Sequence, residues 1–488
     1  MNKYIKAIFT NYLYFILSSL LFLIITPIAV NTMGDIFFGL WSILNAVIGF
    51  SSIGNLGMGV VINKFAAESE IDRDKTHRII SSGIAILLPM AAVAFIVLIL
   101  IRGWIIPRLD IDSVMQKEFS IAVFIAAFSL FPTYINRIWV GYLLSQLKNQ
   151  ITEGVELAAR IALWAGVILI TIFQKNLILI ATWMLIVQSV KTITLFLFVF
   201  KLTGFKFIID RAVIKRMTNF SFFTFVESLA VMINQTLDRI IVGITLGPAA
   251  AGAYSVGTSI SLRLSIITGQ VTNVMIPYAS KEYTAGHKET LLKNYRNMTR
   301  AISVLLMVAA GLLTIWMHEI LSLWISPEYA VRYGNPFSLL VLAFSVLSLS
   351  RTGQQTLTGL GKVKFSSSIY LLMSLLTIAG IYLFSSPLGF MGVSLARMSA
   401  VVLISYNIAA PIFLSQSFSL KEFLADNIFA VAGPLCGVLI IGWGATSLTK
   451  ALYSLIILGG AGLWAFRDEF MKSLLKNFYS RFRETLSQ

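Results

Sequence analysis

Long apolar runs separated by short polar breaks dominate the chain. Fourteen stand out: 9–31, 37–62, 79–101, 119–145, 153–173, 177–200, 218–245, 250–278, 301–324, 336–359, 367–384, 389–413, 427–447 and 451–466. Most approach the length of about 20 residues that a helix needs to cross roughly 30 Å of hydrocarbon. Their apolar positions are continuous, unlike the segments of about 10 residues with alternating polarity in a membrane barrel. In lipid every backbone polar group must be paired internally, so such runs are helices. The pattern predicts an all-α polytopic membrane protein of about 14 spans. The first run, Phe9 to Val30, has no small-residue cleavage site and is too long for a signal-peptide core, so it reads as a retained span. Gly459, Gly460 and Gly462 interrupt the short last run.

Composition agrees. The 488 residues are 57% hydrophobic and 12% charged, against about 25% charged in a soluble domain. The only cysteine, Cys436, and the scattered His77, His287 and His318 offer no metal-ligand pattern and no internal disulfide.

Charge sets the orientation. With the N-terminus cytoplasmic, the inner segments hold 25 Lys and Arg and the outer loops hold 6. This bias places both termini inside. It also accounts for the net charge of +16 without a nucleic-acid partner. The basic tail from Arg467, with Phe470, Leu474, Leu475, Phe478 and Phe482 roughly along one side, is expected to lie on membrane lipids of the anionic inner leaflet. No loop is long enough to house a catalytic domain.

The two halves echo each other. Met33-Gly34 through Gly39-Leu40-Trp41-Ser42 opens the second span, and Leu246-Gly247 through Gly252-Ala253-Tyr254-Ser255 opens the eighth, at a spacing of 213. Arg137, Leu143 and Lys148 close the fourth span as Arg351, Leu357 and Lys362 close the tenth, at a spacing of 214. Each half contains six spans, and an even number makes the halves parallel. The expected architecture is therefore two six-helix lobes, 1–210 and 211–415, followed by two extra spans and the basic tail over 416–488.

Seven cations remain inside spans: Arg137, Arg160, Lys191, Arg239, Arg263, Arg351 and Arg397. Each costs roughly 2.5–3.5 kcal/mol at a helix centre, so each needs a partner or a cavity. Glu156 and Arg160, at i and i+4, read as a local ion pair, and Lys191 as a snorkelling side chain. Three spans carry polar faces: Glu227, Asn234 and Asp238 on the seventh; Ser259, Arg263 and Gln270 on the eighth; Ser348, Arg351, Gln354, Gln355 and Thr358 on the tenth. Stripes containing Arg exceed what polar helix glue requires. They predict a water-filled electropositive cavity for an anion, since Arg binds phosphate and carboxylate through paired hydrogen bonds. Asp238 either pairs with the adjacent Arg239 or joins Glu227 and Asn234 in binding a coupling cation, Na+ or H+.

These features resemble the multidrug/oligosaccharidyl-lipid/polysaccharide exporter superfamily, and within it the bacterial polysaccharide transporters of the O-antigen-flippase type. The resemblance rests on the six-plus-six repeat, Gly54-Asn55-Leu56-Gly57-Met58-Gly59, Leu237-Asp238-Arg239-Ile240-Ile241-Val242-Gly243 and Gly359-Leu360-Gly361-Lys362. It implies a non-enzymatic flippase of the bacterial inner membrane, without an organic cofactor. Such a protein moves an undecaprenyl-pyrophosphate-linked oligosaccharide outward by alternating access, and works beside a polysaccharide polymerase and glycosyltransferases. Arg137 and Arg351 are the leading headgroup contacts, followed by Arg239, Arg263 and Arg397, with Gln270, Gln354 and Gln355 nearby. The extra spans also keep a lipid II flippase in view. A multidrug cation antiporter of the same fold would need acids to dominate the cavity. No phosphate-binding Gly-x-x-x-x-Gly-Lys-[Ser/Thr] sequence supports an ATP-driven pump.

Overall fold

Pairing of every backbone group within its own segment makes most of the described residues helical. The computed structural model describes residues 3–51, 57–68, 72–218, 236–442, 444 and 446–468. Among them no strand occurs, and ten stretches are long and apolar enough to cross a membrane. One of these, Val363–Ser415, holds both the eleventh and twelfth expected spans. The second and eighth spans are helical but fall outside that set of ten, and most of the seventh lies outside the described residues. The basic tail beyond 468 also lies outside them.

Packing divides the chain into two compact units, Met1–Tyr254 and Ser255–Gln488. The lobe boundary expected at 210/211 is a division of sequence repeat, a different quantity. The first unit contains α1 (Lys3–Met33), α2 (Asp35–Ser51), α3 (Met58–Glu68), α4 (Arg73–Ile105), α5 (Ser113–Ala127), α6 (Leu130–Ser145), α7 (Asn149–Phe173), α8 (Leu177–Thr203) and α9 (Asp238–Leu246). Then α10 (Pro248–Thr272) leads into the second unit, with α11 (Met275–Thr284), α12 (Lys288–Ile315), α13 (Met317–Trp324), α14 (Pro327–Leu349), α15 (Arg351–Gly359), α16 (Val363–Ala396), α17 (Ser405–Ser415), α18 (Leu420–Gly442) and α19 (Ser447–Arg467).

The backbone repeats with the sequence. Gly34 and Gly247 both have positive φ, +77° and +84°, at the 213 spacing. Leu147 and Gly361 do the same at 214, with φ of 55° and 74°. Around them Lys148 N–H donates to the Leu143 carbonyl at 2.9 Å, and Lys362 N–H to the Leu357 carbonyl at 2.8 Å. Lys175 and Gly389 form a third left-handed pair and Gly204 and Gln416 a fourth. Helix contacts match too. In the first unit α3 packs on α6, and in the second α11 packs on α15.

Gly389 turns the chain back on itself within α16. The Thr377 and Ser399 hydroxyls meet at 2.6 Å, and a Cβ on Gly380 would stand 2.9 Å from that of Ala396. The eleventh and twelfth spans are thus an antiparallel hairpin, whose return strand tightens into a 3-10 helix over Arg397–Ile404.

Several helices continue past their apolar runs. Residues 279–300 were expected as an inner loop, yet α11 reaches Thr284 and α12 starts at Lys288. A helix does not end where hydropathy does, because its internal hydrogen bonds persist in the headgroup region. The extra spans α18 and α19 both pack on α12. Gly433 lies against Met307, and Gly311 against Ile457.

Candidate functional site

Arg137 and Arg351 stand equally far from the ends of their own helices. Arg137 stands eight residues before the end of α6 at Ser145, and Arg351 eight residues before the end of α15 at Gly359. At 1.5 Å per residue each lies about 12 Å inside the end of its helix. Arg137 is exposed and has no ion pair or side-chain hydrogen bond among the described residues. Its neighbours Tyr134, Asn136, Ile138 and Trp139 are buried, so the helix turns its packed face inward and the guanidinium outward. An uncompensated charge at that depth points to water rather than lipid.

Arg351 is half-buried, and its Nε donates to the Ser265 hydroxyl at 3.3 Å. One turn on, Gln355 donates to Asn273 at 2.9 Å. The polar face of the tenth span therefore meets the eighth within the second unit, through Ser265 and Asn273 rather than through Ser259, Arg263 and Gln270. Arg263 and Gln354 are half-buried on these helices and Gln270 is exposed.

Asp238 is 3% exposed. Tyr254 donates its hydroxyl to one carboxylate oxygen at 2.8 Å, and the backbone N–H of Arg239 donates to the other at 2.8 Å. The Arg239 side chain is half-buried. Glu227 and Asn234 lie outside the described residues, so the stripe of the seventh span can be followed only at Asp238. Arg397 is 4% exposed, with its guanidinium 5.0 Å from the centre of the Phe344 ring. Cation–π packing of this kind supports a buried charge, and little of Arg397 is left for a ligand.

A second set of charges gathers inside the first unit. Arg160 pairs with Glu156 at 3.5 Å, as the i, i+4 spacing predicts. Lys191 also ion-pairs with Glu156, and Arg160 donates to Ser18 of α1. Lys191 therefore does not snorkel. It sits near the middle of α8, too far from either end, and a carboxylate on the adjacent helix is the closer solution.

Two ion-pair sets in the second unit escaped the sequence reading. Arg296 forks onto Glu422, with one nitrogen–oxygen distance of 2.8 Å, and Arg300 pairs with Asp426. Both partners repeat at i, i+4, a signal present in the sequence. Lys450, read as an outer-loop cation, is buried in the first turn of α19 against Glu319.

Comparison with known proteins bears on this arrangement. Residues 5–282, more than half of the chain, match the family described as "Polysaccharide biosynthesis protein". The chain belongs to that family. A second family, MatE, matches residues 224–383 of the chain. The "Putative O-antigen transporter" of Shigella flexneri is 22% identical over 378 residues, covering 75% of this chain and 87% of the relative. The "Uncharacterized membrane protein EpsK" of Bacillus subtilis (strain 168) is 24% identical over 452 residues, covering 86% and 84%. Among solved structures, "Lipid II flippase MurJ, inward closed conformation" superposes with a TM-score of 0.66 at 14% identity, covering 93% of this chain and 99% of that one. An inward-facing multidrug resistance MATE family transporter of the MOP superfamily gives 0.65 at 11% identity, covering 86% and 93%. The fold of this chain is thus that of the MOP-superfamily transporters.

Proposed function

We propose that this member of the polysaccharide biosynthesis protein family is a flippase. It moves an undecaprenyl-pyrophosphate-linked oligosaccharide from the inner to the outer leaflet of a bacterial plasma membrane by alternating access, without enzymatic chemistry. Arg137 carries the reading. An exposed guanidinium with no partner among the described residues, about 12 Å along a membrane helix, has the charge and the paired donors that a pyrophosphate needs. Arg351 stands at the corresponding position of the other repeat. Arg263, Gln270, Gln354 and Gln355, on the two helices that meet at Arg351, and Arg239 in the first unit are the further candidate polar contacts, while Arg397 serves packing. A coupling cation, Na+ or H+, would use Asp238 with Glu227 and Asn234. The 25-to-6 bias of basic residues supports both termini in the cytoplasm.

The reading is tested by expression in a strain that lacks its own oligosaccharide flippase. Restored surface polysaccharide is the expected result. If no lipid-linked sugar moves and organic cations are expelled, the protein is a multidrug antiporter of the same fold.

A further inference from the structure

An apolar groove of about 460 Å³ lies within the first unit, between α2, α4 and the segment entering α9. Val93, Val97, Ile101 and Trp104 of α4 form one wall, and Leu237 and Ile241 face them. The groove follows α4 from Met90 to Ile105, a rise of about 22 Å. That matches half of a bilayer whose full thickness, headgroups included, is about 40–45 Å. Its lining is hydrocarbon, a thioether and an indole ring, so water finds no partners there. A space of this size and lining, beside exposed Val93 and Val97, suits a hydrocarbon chain.

The mouth has a charge. Trp104, 55% exposed, lies at the end of the groove. Arg108 stacks on it with its guanidinium 4.3 Å from the ring centre and donates to the Trp104 carbonyl at 2.7 Å. Arg108 itself is exposed. The nearby Asp112 carboxylate is engaged by the N–H groups of Val114 and Met115 at the start of α5. A tryptophan and an arginine side by side suit the level of lipid headgroups.

We infer that this groove is a binding site for one anionic phospholipid, whose acyl chain lies along α4 and whose phosphate meets Arg108. The Trp104–Arg108 pair at the mouth selects this occupant, because it sets one basic side chain at the headgroup end of an apolar groove about one leaflet long. The site is separate from Arg137 and Arg351 and stands whether or not the transported substrate is the one proposed above.

The test uses the full chain in phosphatidylcholine vesicles that carry brominated phosphatidylglycerol or brominated phosphatidylcholine at equal mole fraction. The quenching lost in Trp104→Phe reports Trp104 alone. The anionic lipid is expected to bind about fivefold better by this measure, the effect of one basic side chain near a lipid phosphate. Arg108→Gln should remove the preference without changing quenching by phosphatidylcholine, and Val97→Phe should reduce quenching by both lipids. Equal quenching by the two lipids in the unaltered protein means ordinary annular lipid and overturns the inference. That comparison holds even if the groove-filling variant does not fold. Relief of quenching by added polyprenyl phosphate would assign the groove to an isoprenoid and also overturn it.

Discussion

Gly39 and Gly252, 213 residues apart, press backbone against backbone: a Cβ on Gly252 would stand 3.0 Å from the Cα of Gly39. A Cβ on Gly39 would overlap the carbonyl of Pro248. These are matching glycines of the repeated motif, so the sequence echo marks a place where two helices touch. Gly39→Ala is expected to destabilise by about 1–3 kcal/mol or more, the usual cost of overpacking. Gly103→Ala, with nothing within 4 Å of the added carbon, should be nearly neutral. Thermal unfolding in detergent compares the two.

The turn shared by Leu147 and Gly361 makes an asymmetric prediction. The left-handed conformation costs a side-chain-bearing residue about 1–2 kcal/mol, and glycine little. Gly361→Ala should therefore lower stability by about that amount, whereas Leu147→Gly should be neutral or raise it. Equal losses from both would show that the two turns are held by different forces. Thermal unfolding again reads the difference.

The charge set between α12 and α18 holds the thirteenth span. Asp426 is 4% exposed, so Asp426→Ala strands Arg300 and should cost about 3–5 kcal/mol. The paired change Arg300→Met with Asp426→Leu should recover most of that loss, because a buried ion pair is often replaceable by apolar packing. A double-mutant cycle on the unfolding midpoint measures the coupling. No recovery in the paired variant would mean that the loss arises from packing alone.

Much of the fold is legible in the sequence because lipid imposes a single solution on an apolar run. The spans reappear as helices wherever the residues are described, and the 213–214 register reappears in the turns at Gly34/Gly247 and Leu147/Gly361. What stays hidden has local causes. Lys175, Leu147 and Gln416 occupy left-handed positions that their residue types do not advertise. The break after Ala127 falls inside a run of largely unbroken hydropathy. At the candidate site, Arg137 and Arg351 were marked by charge and register, but Arg351 and Gln355 meet Ser265 and Asn273, not the expected stripe of Ser259, Arg263 and Gln270. Lys191 and Lys450 were misread because the carboxylates that hold them come from other helices, which residue spacing along one helix cannot reveal. Arg397 was grouped with the headgroup contacts since nothing in its neighbourhood of sequence announces Phe344.

The central claim is that Arg137 and Arg351 hold an anionic headgroup on its way across the membrane. The most direct measurement is the leaflet sidedness of a lipid-linked oligosaccharide in vesicles containing either the unaltered protein or Arg137→Ala/Arg351→Ala, at matched levels of folded protein. The account predicts that the unaltered protein carries the sugar across while the double variant leaves it on the leaflet where it was loaded. Undiminished transfer by the variant would contradict the account.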